Sequence, residues 1–331
     1  MNTAAPALAE AQVTHRPGRH CGSSAIRDLL EFHGLNLSEA MCFGLGSGLG
    51  ITYLTMPEGP IRFMTHVRSL GYESRVFQTL GESFRWETYA SETEAADALD
   101  LLLDEGRPAL LLTDIFHLDY FGSRTHFPGH AIVAWKRDPG TGQVFVTDTE
   151  RPDLLPVERP ALSRARFSYF PPFMHNANLY APRQLHADRI SAPMVVSAIR
   201  QNAALLLEGD AHSGIHAIDT WRNDLPRWVA LEDWRWAARF AYQIIEKRGT
   251  GGGGFRTLYA EFLGEAAELD INVERLNLVA LMRESASRWT ELANEFRQAS
   301  ESMVFPFSAL ERSMEAVFSA EKKYALSAAL L

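Results

Sequence analysis

The sequence predicts an α+β protein in two parts, a mixed domain with an antiparallel sheet followed by a mainly α-helical domain. Three observations carry that expectation. Between residues 22 and 33, Ala25, Ile26, Leu29 and Leu30 recur three or four apart, the spacing of a helix with one buried face, and Gly34 supplies a stop. Residues 129–135 and 143–148 are short apolar runs separated by Asp138-Pro139-Gly140-Thr141-Gly142, which reads as an antiparallel hairpin. Beyond Pro193 strand signal fades and helical periodicity takes over.

The texture changes near residues 180–190, so the expected domains are 14–185 and 186–331. A length of 331 residues suits two medium domains. In order, residues 1–13 are Ala-rich without periodicity and read as a loose terminus. Ser38-Glu39-Ala40-Met41 starts a second helix. Residues 60–70 read as a helix closed by Gly71, and 72–79 as a strand. Ser91-Glu92-Thr93-Glu94 is a capping box for a helix running to Gly106. Residues 108–115 form a short apolar run and hence a buried strand. In the second half, 194–207, 232–247, 255–269 and much of 272–329 are periodic as helices.

Composition narrows the function classes. Hydrophobic residues make up 46% and charged residues 22%, ordinary for a globular chain. A net charge of −9 argues against a dedicated nucleic-acid binder. Two cysteines, Cys21 and Cys42, do not build a disulfide scaffold, and without CxxC or HExxH no metal framework is expected. No apolar run of signal-peptide or membrane-span type stands out, so the expectation is a cytoplasmic protein that does not engage a membrane.

Chemistry concentrates on His15-Arg16-Pro17-Gly18-Arg19-His20-Cys21-Gly22-Ser23-Ser24. A thiol at a helix N-terminus meets unpaired backbone N–H groups, whose partial positive charge favours the nucleophilic thiolate. The competing reading is a small buried hydrophobe, as most free cysteines are, and that reading suits Cys42. Acyl transfer by a cysteine needs a base, a group that orients the base, and donors for the oxyanion. His130 starts the first strand of the hairpin and Asp148 ends the second. In an antiparallel pair those positions are neighbours, so Asp148 is placed to hold one imidazole nitrogen while the other faces Cys21.

That order of cysteine on a helix, histidine on a strand and aspartate on the next strand resembles the papain-like fold. Within it, His15 to Ala25, the run Met41-Cys42-Phe43-Gly44-Leu45-Gly46-Ser47-Gly48-Leu49 and Gly129-His130-Ala131-Ile132-Val133 resemble the butirosin biosynthesis protein H N-terminal family. The second half resembles the uncharacterised helical domain that commonly follows it, through Gly249-Thr250-Gly251-Gly252-Gly253-Gly254-Phe255-Arg256. The resemblance implies a cysteine-dependent acyltransferase of secondary metabolism. An acyl group would pass from an acyl carrier protein or CoA thioester through acyl-Cys21 to an amine or alcohol of a small metabolite. No cofactor is implied beyond that thioester, which would be phosphopantetheine-linked in the carrier-protein case. The alternatives are a cysteine hydrolase (amidase, peptidase or thioesterase) with water as acceptor, and a silent binding protein that keeps the fold. The family position of an oxyanion donor falls on His15, where papain-like peptidases carry glutamine. Asp114, at a strand end, and Tyr120 are the expected contacts to an amine acceptor, and His126 is a loop residue. Gly46 and Gly48 are expected to wall the active site. Gly252, Gly253 and Arg256 are expected to hold a donor phosphate at a helix start. Apolar faces in the helical half are compatible with a homo-oligomer.

Overall fold

The computed structural model describes residues 13–55, 63–170, 174–231 and 233–331. In chain order the elements are α1 (Cys21–Phe32), α2 (Glu39–Leu45), β1 (Leu49–Thr55), β2 (Phe63–Arg68), α3 (Tyr72–Thr79), α4 (Glu92–Asp104), β3 (Ala109–Thr113), β4 (His130–Arg137), β5 (Val144–Asp148), β6 (Arg151–Val157), α5 (Arg159–Arg166) and β7 (Leu179–Tyr180). Helices follow: α6 (Ala192–Leu207), α7 (His216–Val229), α8 (Trp234–Glu246), α9 (Arg256–Leu269), α10 (Ile271–Arg275), α11 (Leu278–Glu301) and α12 (Phe307–Ala328). By packing, the described residues form two compact units, those within 1–39 and 81–189 and those within 40–80 and 190–331.

The first unit is an antiparallel five-stranded sheet in the order β6-β5-β4-β3-β7. The hairpin is real: Val133 pairs with Thr147 and Ala134 with Val146, and a register shift between Ala134 and Lys136 absorbs an extra residue. On the other edge of β4, Thr113 of β3 pairs with His130. Leu99, Leu103, Leu111, Ile132, Val146, Leu162 and their neighbours make the core shared by α4, α5 and the sheet. Helix α1 packs on β3, β4 and β5. Ser91 caps α4 by accepting from the Glu94 amide, as the capping box implies.

The second unit contains a two-stranded antiparallel sheet, β1 with β2, among helices. Its core is aromatic: Tyr53 stacks on Trp221 and Trp221 on Phe296, with ring centroids 5.7 and 5.1 Å apart. Segment 40–80, expected in the first domain, therefore packs with the helical half. The reason is that its buried residues, Phe43 and Tyr53 among them, find their aromatic partners there, Phe255 and Trp221.

Two secondary-structure expectations in this segment are overturned. Residues 63–68 form a strand, not a helix, with burial alternating along it; residues 60–62 lie outside the described residues. Residues 72–79 form a helix, not a strand, because Tyr72, Val76 and Phe77 bury one face after Gly71 turns the chain at φ +71°. Short apolar patterns fit both periods, and the partner decides between them. Helix α7 carries Pro226 inside it, a residue that interrupts a helical pattern in sequence.

Candidate active site

Cys21 is the first residue of α1, partly exposed and free of any disulfide. His20 caps the helix, its Nδ1 accepting from the Ser23 amide at 3.1 Å. His130, buried at the start of β4, hydrogen-bonds Cys21. Its Nε2 lies 2.9 Å from both Asp148 oxygens, which leaves Nδ1 as the nitrogen for the sulfur. Burial opposes a charge on His130, but the Asp148 carboxylate, its hydrogen bond and Cys21 outweigh it and push the imidazole up to about 10. Asp148 moves the other way: burial favours its neutral form, yet His130 and Tyr120 hold it below the usual carboxylate range. The three expected residues thus come together, with the imidazole held charged between sulfur and carboxylate.

Several supports were not legible in the sequence. Tyr120 donates to Asp148 Oδ2 at 2.8 Å. Burial, then the Asp148 charge, raises this phenol well above its ordinary value, so it remains a donor. Tyr120 was expected to meet an amine acceptor; its hydroxyl is instead spent on Asp148. The Phe121 and His130 rings meet edge to face with centroids 5.2 Å apart, and the Arg151 guanidinium lies over both Tyr120 and Phe121. Glu39 is buried behind α1, its Oε1 accepting from the Arg19 and His20 amides at 2.8 Å each and from Ser23 Oγ at 3.2 Å. One carboxylate therefore fixes the chain immediately before Cys21. A partner nineteen positions from His20 leaves no local pattern.

His15 is corrected. Its Nδ1 is 2.5 Å from Asp28 Oδ2 and its Nε2 is 2.8 Å from the Arg151 carbonyl oxygen. Both partners accept, so both nitrogens carry protons and neither is left for an oxyanion. Burial works against that charge, but the bond to Asp28 prevails and His15 is raised. The residue ties the N-terminal segment to α1 and β6.

Asp114 is corrected as well. It is fully buried, with Oδ1 accepting from the Phe116 and Phe127 amides at 3.1 and 2.9 Å. Oδ2 takes the Ser168 hydroxyl at 2.6 Å and His126 Nδ1 at 2.7 Å. A carboxylate so surrounded caps a turn and does not present itself to a substrate amine.

The expected glycine wall is buried in the second unit, and the expected phosphate loop is engaged by its own neighbours there. A Cβ on Gly46 would come within 2.4 Å of the Tyr72 ring, and one on Gly48 within 2.5 Å of the Phe43 ring. These glycines let the α3 and α2 side chains Tyr72 and Phe43 pack against the turn between α2 and β1, and they offer no surface to a ligand. Gly252 and Gly253 have φ of +91° and +56°, and the Gly253 amide donates to Glu246 Oε1 at 3.0 Å, where a phosphate oxygen was expected. Arg256 is fully buried. It pairs with Glu321 at 2.7 Å, donates to the Val67 and Gly254 carbonyls at 2.9 and 2.6 Å, and covers the Trp289 ring. Its guanidinium is engaged within the protein. Cys42 is fully buried in α2, as a packing residue would be.

Residues 20–149 match the family model described as Butirosin biosynthesis protein H, N-terminal, and residues 160–327 match the one described as Domain of unknown function (DUF4872). No curated protein matches the chain. Among the described residues no helix is long and apolar enough to cross a membrane.

Proposed function

Because the chain belongs to the DUF4872 family and carries the butirosin biosynthesis protein H N-terminal domain ahead of it, we propose that it is a biosynthetic acyltransferase that works through an acyl-Cys21 intermediate. The observation that carries the reading is the contact chain Cys21–His130–Asp148, with the sulfur at a helix start and the imidazole 2.9 Å from the carboxylate. Cys21 sulfur attacks the carbonyl carbon of a thioester and the C–O π pair moves to oxygen. The Cys21 N–H at the start of α1 is the donor for that oxyanion, since His15 is committed elsewhere and the Ser23 amide is given to His20. Collapse breaks the carbon–sulfur bond to the carrier, and His130 gives its proton to the departing thiolate. An amine or alcohol of a small metabolite then attacks acyl-Cys21 while His130 takes the acceptor's proton. Collapse releases the amide or ester and returns Cys21 as thiolate beside charged His130. Asp148, itself held by Tyr120, keeps the ring in register throughout.

The test is intact-mass spectrometry after incubation with acyl-CoA and with an acyl carrier protein thioester. A mass gain that maps to Cys21 and is lost in Cys21→Ala is the expected result. Discharge that accelerates with added amines marks a transferase. Discharge by water alone, indifferent to acceptors, makes the protein a hydrolase and overturns the transfer step. An adduct that persists in Cys21→Ala removes the cysteine reading altogether.

A further inference from the structure

The loop between β3 and β4 holds a second cluster of chemistry-bearing side chains. Asp114, His117 and His126 each offer one donor atom, and these atoms lie within 4.8 Å of one another. Asp114 and His117 stand where the chain leaves β3, and His126 where it returns toward β4. The cluster is held in advance. Two backbone amides and the Ser168 hydroxyl fix the Asp114 carboxylate. The His126 ring is clamped between Phe116 and Phe170, stacked at centroid distances of 4.0 and 4.5 Å, so its plane cannot turn freely. Those two rings also keep water from both faces of the imidazole.

We propose that Asp114, His117 and His126 form a binding site for a divalent transition metal of the zinc type. Two imidazoles and one carboxylate are the donor set that such borderline ions take, whereas calcium and magnesium prefer oxygen alone. The cation replaces the Nδ1 proton that His126 now shares with Asp114 Oδ2; that proton leaves to solvent. Three protein ligands leave the fourth position to water. The site closes the loop on itself. Within that loop stand Tyr120, bonded to Asp148, and Phe121, packed on His130. Metal binding therefore stiffens the segment that supports the candidate active site. The inference does not depend on the acyl-transfer reading, because it rests on a different set of residues.

The experiment uses the full chain, freed of metal by chelator and dialysis, then titrated with Zn2+ and separately with Co2+. Expected are one tightly bound equivalent by elemental analysis, a visible d–d spectrum with Co2+ and a rise in melting temperature with Zn2+. Hydrogen exchange across residues 115–127 should slow on Zn2+ addition. His117→Ala and His126→Gln should each weaken binding by more than about tenfold. The glutamine variant keeps a donor toward Asp114, and circular dichroism reports whether each variant is folded. Wild-type protein that shows neither a Co2+ spectrum nor a Zn2+ melting shift overturns the site, whatever the variants do. Wild-type-like binding by both folded variants overturns it equally.

Discussion

Each unit contains a buried ion pair, and the two pairs serve different ends. In the second unit Arg256 and Glu321 are both fully buried, and Glu321 also accepts from Trp289 Nε1 at 2.8 Å while Arg256 reaches neighbouring carbonyls. Both charges are directed at fixed internal partners. In the first unit His130 and Asp148 form a comparably buried pair, but the remaining imidazole nitrogen is directed at a partly exposed thiol. A buried charge pair by itself signals neither stability nor function. What separates the two is whether the network ends on a reactive atom that a substrate can reach.

The comparison is broken most directly at His130. His130→Ala should slow acylation of Cys21 by about ten-thousandfold, and Asp148→Asn by less, read as the rate of adduct formation by mass spectrometry. The reverse order would remove Asp148 as the orienting group. The same pair carries a pH signature. His130 is raised, so its contribution to stability is complete below its ordinary value of about 6.5 and fades as pH rises through about 10. Asp148 is depressed, so its contribution is present above its ordinary value of about 3.9 and fades as pH falls through its lowered one. Urea unfolding should therefore show the widest gap between wild type and Asp148→Asn between about pH 4 and 6.5.

Glu321→Ala tests the closed pair. It leaves the Arg256 guanidinium buried and unpaired and should cost about 3–5 kcal/mol in urea unfolding. Cys21 acylation per folded molecule should be unchanged. A stable variant with weakened thioester binding would instead restore Arg256 as a phosphate contact. Tyr120→Phe sharpens the open pair: it removes one donor to Asp148 and should cost about 1.5–3 kcal/mol, with a modest loss of acylation rate. Gly46→Ala is the smallest change. Its methyl group meets the Tyr72 ring and should cost about 1–3 kcal/mol by thermal or chemical melting, without effect on Cys21 labelling. Labelling that falls out of proportion to stability would return Gly46 to the substrate.

The sequence by itself determined the elements whose signals are local or lie on one hairpin. Helix α1 follows from apolar spacing ended by Gly34, and α4 from its capping box. The meeting of His130 with Asp148 follows from strand antiparallelism and a short turn, which convert eighteen positions of chain into 2.9 Å. Tertiary structure decided everything that depends on a distant partner. Residues 63–68 and 72–79 took their periods from the surfaces they bury against. Gly46 and Arg256 look like ligand contacts in isolation because small residues and exposed cations suit anions. Packing assigned them to the Tyr72 ring and the Glu321 carboxylate. His15 lost its expected role to Asp28 and the Arg151 carbonyl, acceptors thirteen and 136 positions away. A polar group in the interior must satisfy its hydrogen bonds with whatever the fold brings near it, and no local spacing encodes that neighbour.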